Sequence, residues 1–311
     1  MRKLRGLVEN RLVEITTRTF QGRYLLRPSD EVNRTILGVV GRAQRRTEID
    51  LCAFTFLSNH YHMLVVPEST KQLSEFMGFV NGNIARKVGR LHDWRGKLWD
   101  RRYQHIVVSD EPEAQIRRLS YLLSQGVKEG LVRNPEDWPG VHCVSHLLGG
   151  QEEVRGGVWR DQTAEYNARR SGKVLRLEEF LFEELVRLRP IPCWETLTQL
   201  ERCGLIKELL KQIEQVARQR REETGRAPLG RKRILLQVPD YRPKKVERSP
   251  APAFHAATRE HYWQMRERHW AFQSEFRDSA DLLKEGVIGV VFPPGCFPPR
   301  LPYVPETRAG P

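Results

Sequence analysis

Hydrophobic and polar positions change period several times along this chain, and each change predicts an element. Arg11 to Phe20 gathers β-branched Val13, Ile15, Thr16, Thr17 and Thr19, the composition of a strand, and Tyr24-Leu25-Leu26 continues it or turns. From Pro28-Ser29-Asp30 the spacing becomes helical, with Val32, Ile36, Val39 and Val40 on one face as far as about Arg46. Ser29 or Asp30 can accept the unpaired amides of that first turn. Ile49 to Leu57 and Tyr61 to Pro67 are apolar runs of strand length separated by Ser58-Asn59-His60, which predicts a hairpin. Lys71 to Leu91 is helical again, with Leu73, Phe76, Met77, Val80, Ile84 and Val88 as its stripe. Trp94 to Tyr103 reads as a loop and Gln104 to Val108 as a strand. Glu111 to about Lys128 is a third helix, apolar at Ile116, Leu119, Leu122 and Leu123.

The resulting β-α-β-β-α-β-α order predicts an α+β fold, an antiparallel sheet with helices packed on one face. Residues 1–149 form this unit, and glycine- and charge-rich 150–174 is expected as a linker. Residues 175–311 are expected to be mainly helical, basic and proline-rich. Within them, Leu175 to Leu188 and Glu195 to Arg221 have helical spacing, the latter through Leu205, Leu209, Ile213 and Val216. Arg226 to Pro252 is a basic, proline-punctuated connection holding Arg231-Lys232-Arg233 and Lys244-Lys245. Thr258 to Glu285 is helical, with Trp263 and Trp270 seven apart as a core stripe, and Phe292 to Pro311 is irregular.

Charge narrows the partner. The 311 residues carry a formal net charge of +13, which favours a polyanion; basic residues spread through periodic segments favour nucleic acid over a membrane surface. No segment approaches the ~18 apolar residues that span a bilayer, and Met1 to Glu14 lacks the apolar core of a signal peptide. The five cysteines, Cys52, Cys143, Cys193, Cys203 and Cys296, are scattered and form no Cys-x-x-Cys pair, so a disulfide framework or zinc knuckle is not expected and a reducing cytoplasm fits.

The candidate chemistry lies at the hairpin. His60-Tyr61-His62 at the start of a strand points both imidazoles to one face and Tyr61 to the other. With nine histidines, chance alone supplies roughly a quarter of one His-x-His pair, so the pair needs a companion. Tyr121 and Gln125, four apart on a helix, share a face. Two imidazoles and a side-chain carbonyl can hold a divalent metal, and a tyrosine hydroxyl beside it suits attack on a phosphodiester.

Three blocks, Ser58-Asn59-His60-Tyr61-His62-Met63-Leu64-Val65, Gly96-Lys97-Leu98-Trp99-Asp100-Arg101-Arg102-Tyr103 and Tyr121-Leu122 to Gly130-Leu131-Val132, resemble the successive blocks of the single-tyrosine HUH transposases. The closest branch is the REP-associated tyrosine transposases, relatives of the small insertion-sequence transposases. The resemblance covers about the first 150 residues, through Asp137-Trp138-Pro139. That branch usually follows its tyrosine with an Asn-Pro pair, where this chain has Ser124-Gln125; a glutamine four residues after the tyrosine is what related insertion-sequence enzymes use as third metal ligand. The resemblance implies an RRM/ferredoxin-like HUH domain, with Tyr121 as nucleophile, His60, His62 and Gln125 as metal ligands, and Mg²⁺ or Mn²⁺ as the metal.

The implied activity is metal-assisted cleavage and rejoining of single-stranded DNA beside imperfect hairpins through a 5′-phosphotyrosine, that is, DNA transposition. Neutral ligands also speak for Mg²⁺ or Mn²⁺ recruited with DNA over a structural zinc. Arg86, Lys87, Arg90, Arg95, Lys97, Arg101 and Arg102 are the expected DNA contacts. Tyr61 and Tyr103 are poorer nucleophile candidates, the first turned from the histidines and the second without a Gln, Asn or His at helical spacing. The resemblance allows a homodimer without requiring one. Two other classes remain open, a domesticated non-catalytic hairpin-binding protein and a metal-dependent hydrolase with a structural tyrosine.

Overall fold

A computed structural model describes residues 9–172, 176–244 and 252–299. Val13–Arg18 forms β1, Asp30–Thr47 forms α1, Asp50–Phe56 and His60–Val66 form the hairpin β2–β3, and Thr70–Leu91 forms α2. Gln104–Val108 is β4 and Pro112–Leu123 is α3. Ser29 caps α1 by accepting from the Val32 amide, and Ser69 caps α2 by accepting from Gln72, so both starts follow from side chains that satisfy first-turn donors. The apolar stripes expected for α1 and α2 are buried in full.

One five-stranded sheet runs in the order β2-β3-β1-β4-β7, where β7 is Phe254–His255. Strands β1 to β4 pair antiparallel, but β7 joins β4 parallel, so the sheet is mixed at an edge that the C-terminal region supplies. Register sets the two faces. Thr16 stands opposite His62 and Arg18 opposite His60, so Glu14, Thr16, Arg18, His60 and His62 share one face. Tyr61 points to the other, where its hydroxyl donates to Asn81 of α2 at 2.7 Å and its ring stacks on Phe56.

Several expectations past residue 110 are corrected. The third helix is broken: Ser124 separates α3 from α4, Gln125–Lys128, and its hydroxyl donates to the Tyr121 carbonyl at 2.8 Å, competing with the helical bond. Val144–Leu148 is α5. Residues 150–174, expected as a linker, instead hold β5, Glu153–Arg160, and α6, Gln162–Arg170. Leu181–Arg187, expected as helix, is β6, which pairs antiparallel with β5.

This two-stranded sheet lies against α1 so closely that a Cβ on Gly38 would come within 2.2 Å of the Val158 carbonyl oxygen, and one on Gly41 within 2.6 Å of the Leu185 oxygen. Buried Glu184 closes the contact by pairing with Arg42 and Arg45, each at 2.9 Å. Residues 150–188 therefore pack on the first unit.

Gln199–Thr224 is α7, entered through a capping box of Thr198 and Glu201. Its buried stripe is Ile206, Leu210 and Ile213; of the expected set only Ile213 is buried, while Leu209 is half-buried and Leu205 and Val216 stand exposed. The stretch after 226 is also docked: Leu229 and Gly230 donate to the Gly130 and Leu131 carbonyls at 2.9 Å, and Ile234 of α8, Arg231–Leu235, is fully buried. Arg231, Lys232 and Arg233 remain exposed, and Lys245 lies outside the described residues. In α9, Arg259–Lys284, Met265 and Phe272 are the buried positions. Trp263 and Trp270, expected in the core, are 38% and 51% exposed and sandwich the Arg266 guanidinium.

Candidate active site

The face carrying His60 and His62 is covered by α3, and the two elements meet at the proposed nucleophile. The His60 and His62 rings lie 5.2 Å apart, and the His62 ring is 5.7 Å from the ring of Tyr121. The structure thus brings Tyr121 beside His62, one residue from each pair that the sequence singled out.

Both imidazoles are held through Nδ1. Asn59 donates its amide nitrogen to the Gly22 carbonyl at 3.1 Å, so the 2.7 Å contact to His60 Nδ1 is made by Asn59 Oδ1. An acceptor there requires the proton on Nδ1 and directs the lone pair to Nε2. His62 Nδ1 lies 2.7 Å from Oε1 of Glu14, a carboxylate with no exposed surface, which fixes the same tautomer. A carboxylate behind a histidine, orienting it and raising its basicity, is the usual support of a metal-binding imidazole. Coordination would run through the two Nε2 atoms.

Gln125 is buried, and its Nε2 donates to the Tyr121 carbonyl at 2.8 Å, so Oε1 is the atom by which it could meet a metal. Among the described residues no group of three His, Cys, Asp and Glu side chains is arranged to hold a metal. Two imidazoles 5.2 Å apart, one of them backed by the Glu14 carboxylate, are chemically suited to a divalent ion.

Three residues that the sequence did not single out complete the site. Arg118 pairs with the second oxygen of Glu14, and its guanidinium lies 4.6 Å from the Tyr121 ring centroid. Lys128 Nζ lies 4.1 Å from the same ring. Burial lowers Arg118 from the ordinary arginine value, with Tyr121 acting in the opposite direction; the group stays cationic. A continuous set of contacts, His62 to Glu14 to Arg118 to Tyr121, therefore ties the histidine strand to the tyrosine helix. Spacing could have found Arg118 and Lys128, since 118, 121, 125 and 128 repeat at helical intervals. Glu14 was signalled by a carboxylate inside the apolar run of a central strand.

The expected DNA contacts divide. Lys87 is corrected: it is enclosed, donating to the Arg160 carbonyl at 2.7 Å with its ammonium 4.0 Å from the Trp159 ring, and burial pushes its pKa down to about 8. The cause is β5, which occupies the segment expected as a linker. Arg86 and Arg90 are exposed on α2, across the sheet from the histidines, and Arg86 donates to Asn83. Arg95 pairs with Asp93 at 3.7 Å and Arg101 with Asp100 at 3.6 Å, both at the surface; Lys97 lies over the Phe20 ring and Arg102 is exposed. Their loop is fastened beside the histidines, because Asp100 donates its amide to the carbonyl of Arg18, the residue opposite His60. Tyr61 is excluded as nucleophile by burial, which also raises its pKa.

Residues 21–124 match the family described as transposase IS200 like, so this third of the chain carries the pattern of that family. The match contains His60, His62 and Tyr121 and stops one residue short of Gln125. Among solved structures, the chain resembles a REP-associated tyrosine transposase bound to a REP hairpin, with 15% identity, a TM-score of 0.38 and coverage of 48% of this chain and 86% of the other. It also resembles a protein of Deinococcus radiodurans R1 provisionally described as a transposase, with 23% identity, a TM-score of 0.28 and coverage of 38% and 95%. No curated protein matches the chain.

Proposed function

We propose that this transposase-related chain cleaves and rejoins single-stranded DNA, with Tyr121 as the nucleophile and a 5′-phosphotyrosine as the intermediate. The observation that carries the proposal is the placement of the Tyr121 ring against His62, beside a second histidine whose Nδ1 is likewise held by an acceptor. A divalent Mg²⁺ or Mn²⁺ on His60, His62 and Gln125 would neutralise charge on the scissile phosphate and leave it more electrophilic.

A phenol with its ordinary pKa near 10 attacks poorly until its proton is drawn off. Arg118 and Lys128 flank the Tyr121 ring and bring positive charge to the place where a phosphate would be attacked. As the tyrosine oxygen bonds to phosphorus, the bond to the 3′ oxygen breaks and that oxygen takes up a proton. Nothing is consumed, because the phosphotyrosine keeps the ester for transfer to another 3′ hydroxyl. Glu14 is a positioning residue: it holds His62 in one tautomer and Arg118 against Tyr121.

Hairpin-bearing single-stranded DNA is the substrate that the sequence resemblance implies, and the net charge of +13 is consistent with it. The test is incubation of the full chain with a single-stranded oligonucleotide carrying an imperfect hairpin, with Mn²⁺, with Mg²⁺ and with chelator. A denaturation-resistant protein–DNA adduct that needs the ion and disappears in Tyr121→Phe is expected. Hairpin binding with no adduct under any condition would instead favour a non-catalytic binding protein.

A further inference from the structure

A cleft of about 710 Å³ opens between the tyrosine-bearing helices α3–α4 and the C-terminal helix α7. Its volume lies in the range of sites that enclose a nucleotide-sized ligand. Its floor is apolar, including Val127 and Ile213, and its rim carries four cations, Lys128, Arg220, Arg221 and Arg226, against the carboxylate of Glu129. Arg220 donates to the Lys128 carbonyl at 3.2 Å, fastening α7 to the end of α4. Ser120 and Ser124, which flank Tyr121 in sequence, line the same cleft. Lys128 belongs to both sites, since it lines the cleft while its ammonium sits over the Tyr121 ring.

From this we infer that the cleft receives a nucleotide of the single-stranded flank next to the scissile phosphate, with its base on the apolar floor and its phosphates on the arginine rim. The inference rests on the function proposed above and adds a substrate-binding role for the region after residue 199. An apolar floor accepts any base face without reading its edge, while guanidinium groups bind phosphate through paired donors. The juxtaposition also accounts for the position of α7: a helix that only stabilised the core would not need Arg220 and Arg221, with Arg226 just past its end, gathered beside the tyrosine helix.

The test uses the full chain and three probes: a blunt DNA hairpin, and the same hairpin with a ten-thymidine flank at either end. In Arg221→Ala/Arg226→Ala, affinity for at least one flanked hairpin should fall about tenfold at 0.1 M salt, with the blunt hairpin unchanged. The slope of log affinity against log salt should become shallower by roughly 1.4, two contacts at ~0.7 each on a single strand. Equal losses for blunt and flanked probes, or no loss, would overturn the inference.

Photo-cross-linking of the unaltered chain to a flank carrying 4-thiothymidine gives an independent readout free of folding effects. Cross-links within residues 212–228 or 127–132 are expected, and cross-links only to residues that do not line the cleft, as when it belongs to a peptide instead, would contradict it. The two proposals fail separately. An adduct at Tyr121 without these cross-links removes the cleft's role alone; flank-specific binding with cleft cross-links but no adduct removes the tyrosine chemistry alone.

Discussion

Replacing Glu14 with glutamine keeps the shape of a fully buried side chain and removes its charge, so it isolates what the carboxylate does. Both oxygens are engaged, one by His62 Nδ1 at 2.7 Å and the other by Arg118, whose side chain is only 11% exposed. Each partner is a donor. A glutamine has one acceptor oxygen: kept on Arg118, it turns NH₂ to His62, which can accept only by moving its proton to Nε2, and kept on His62 it leaves Arg118 without an acceptor; either way the Arg118 cation loses its counter-charge. Breaking a buried ionic pair from one side costs about 3–5 kcal/mol, and the retained hydrogen bond places Glu14→Gln near the lower figure. At ~2 °C per kcal/mol for a chain of this size, the melting midpoint should fall by about 6 °C.

Adding Arg118→Met should recover part of that loss, because the uncompensated cation goes with it, and a double-mutant cycle measures the coupling. The same substitution should weaken Mn²⁺ binding by about 10- to 100-fold in calorimetric titration, since His62 loses the carboxylate that orients it. A midpoint shift under 1 °C together with unchanged Mn²⁺ affinity would refute the role assigned to Glu14.

Gly38→Ala should destabilise by about 1–3 kcal/mol in chemical denaturation, because the new methyl group meets the Val158 backbone, which cannot swing aside; an unchanged midpoint would mean the β5–β6 sheet does not sit on α1 as described. A chain ending at Gly149 should lose cooperative unfolding, since it strips that sheet from α1 and the Ile206, Leu210 and Ile213 stripe from the core; a sharp transition near that of the full chain would count against this packing. Stability should also fall as the pH drops from about 6.5 toward 4. Burial pushes His142 down to about 4, and its Nδ1 accepts from the Val144 amide, so the neutral form is bound in the folded state. That stabilisation is complete above the unfolded value of ~6.5 and is lost through the folded value. His142→Asn should flatten this part of the profile, and an equally steep decline in the variant would assign it to other groups.

How much of this was legible in the sequence depended on how strongly burial imposed a period. Strands β1 to β4 and helices α1 to α3 each bury one full face, so their apolar spacing shows through. The His-x-His pair was readable for the same reason, because the strand period fixes which side chains share a face, whereas the Tyr121–Gln125 spacing assumes one unbroken helix, which Ser124 interrupts. Strand β5 hid because two glycines interrupt its apolar pattern: Gly157 is needed for close approach to α1, an absent side chain leaves no hydrophobic signal, and Val154 and Trp159 on either side are too far apart to show a period. In β6 the buried positions are Glu184 and Val186, and the first is buried only because Arg42 and Arg45, far away in sequence, neutralise it.

In α7 the neighbouring rows Leu205–Leu209 and Ile206–Leu210 are equally apolar, and only the tertiary partner selects the second. Trp263 and Trp270 misled in the opposite direction, since an aromatic pair at heptad spacing can be satisfied at the surface by an arginine between the rings. Glu14 and the cleft beside α4 depend on contacts between distant segments, which no local pattern records.

The central claim, that Tyr121 becomes covalently joined to DNA, is tested most directly by end-labelling. One single-stranded hairpin oligonucleotide is labelled at its 5′ end in one sample and at its 3′ end in another, and each is incubated with the chain and Mn²⁺, denatured and digested with trypsin. Attack on the 5′ phosphate of the released fragment predicts label retained on protein only from the 3′-labelled strand, on the peptide that contains Tyr121. Label from the 5′ end, or on a peptide without Tyr121, or on no peptide at all, would contradict it.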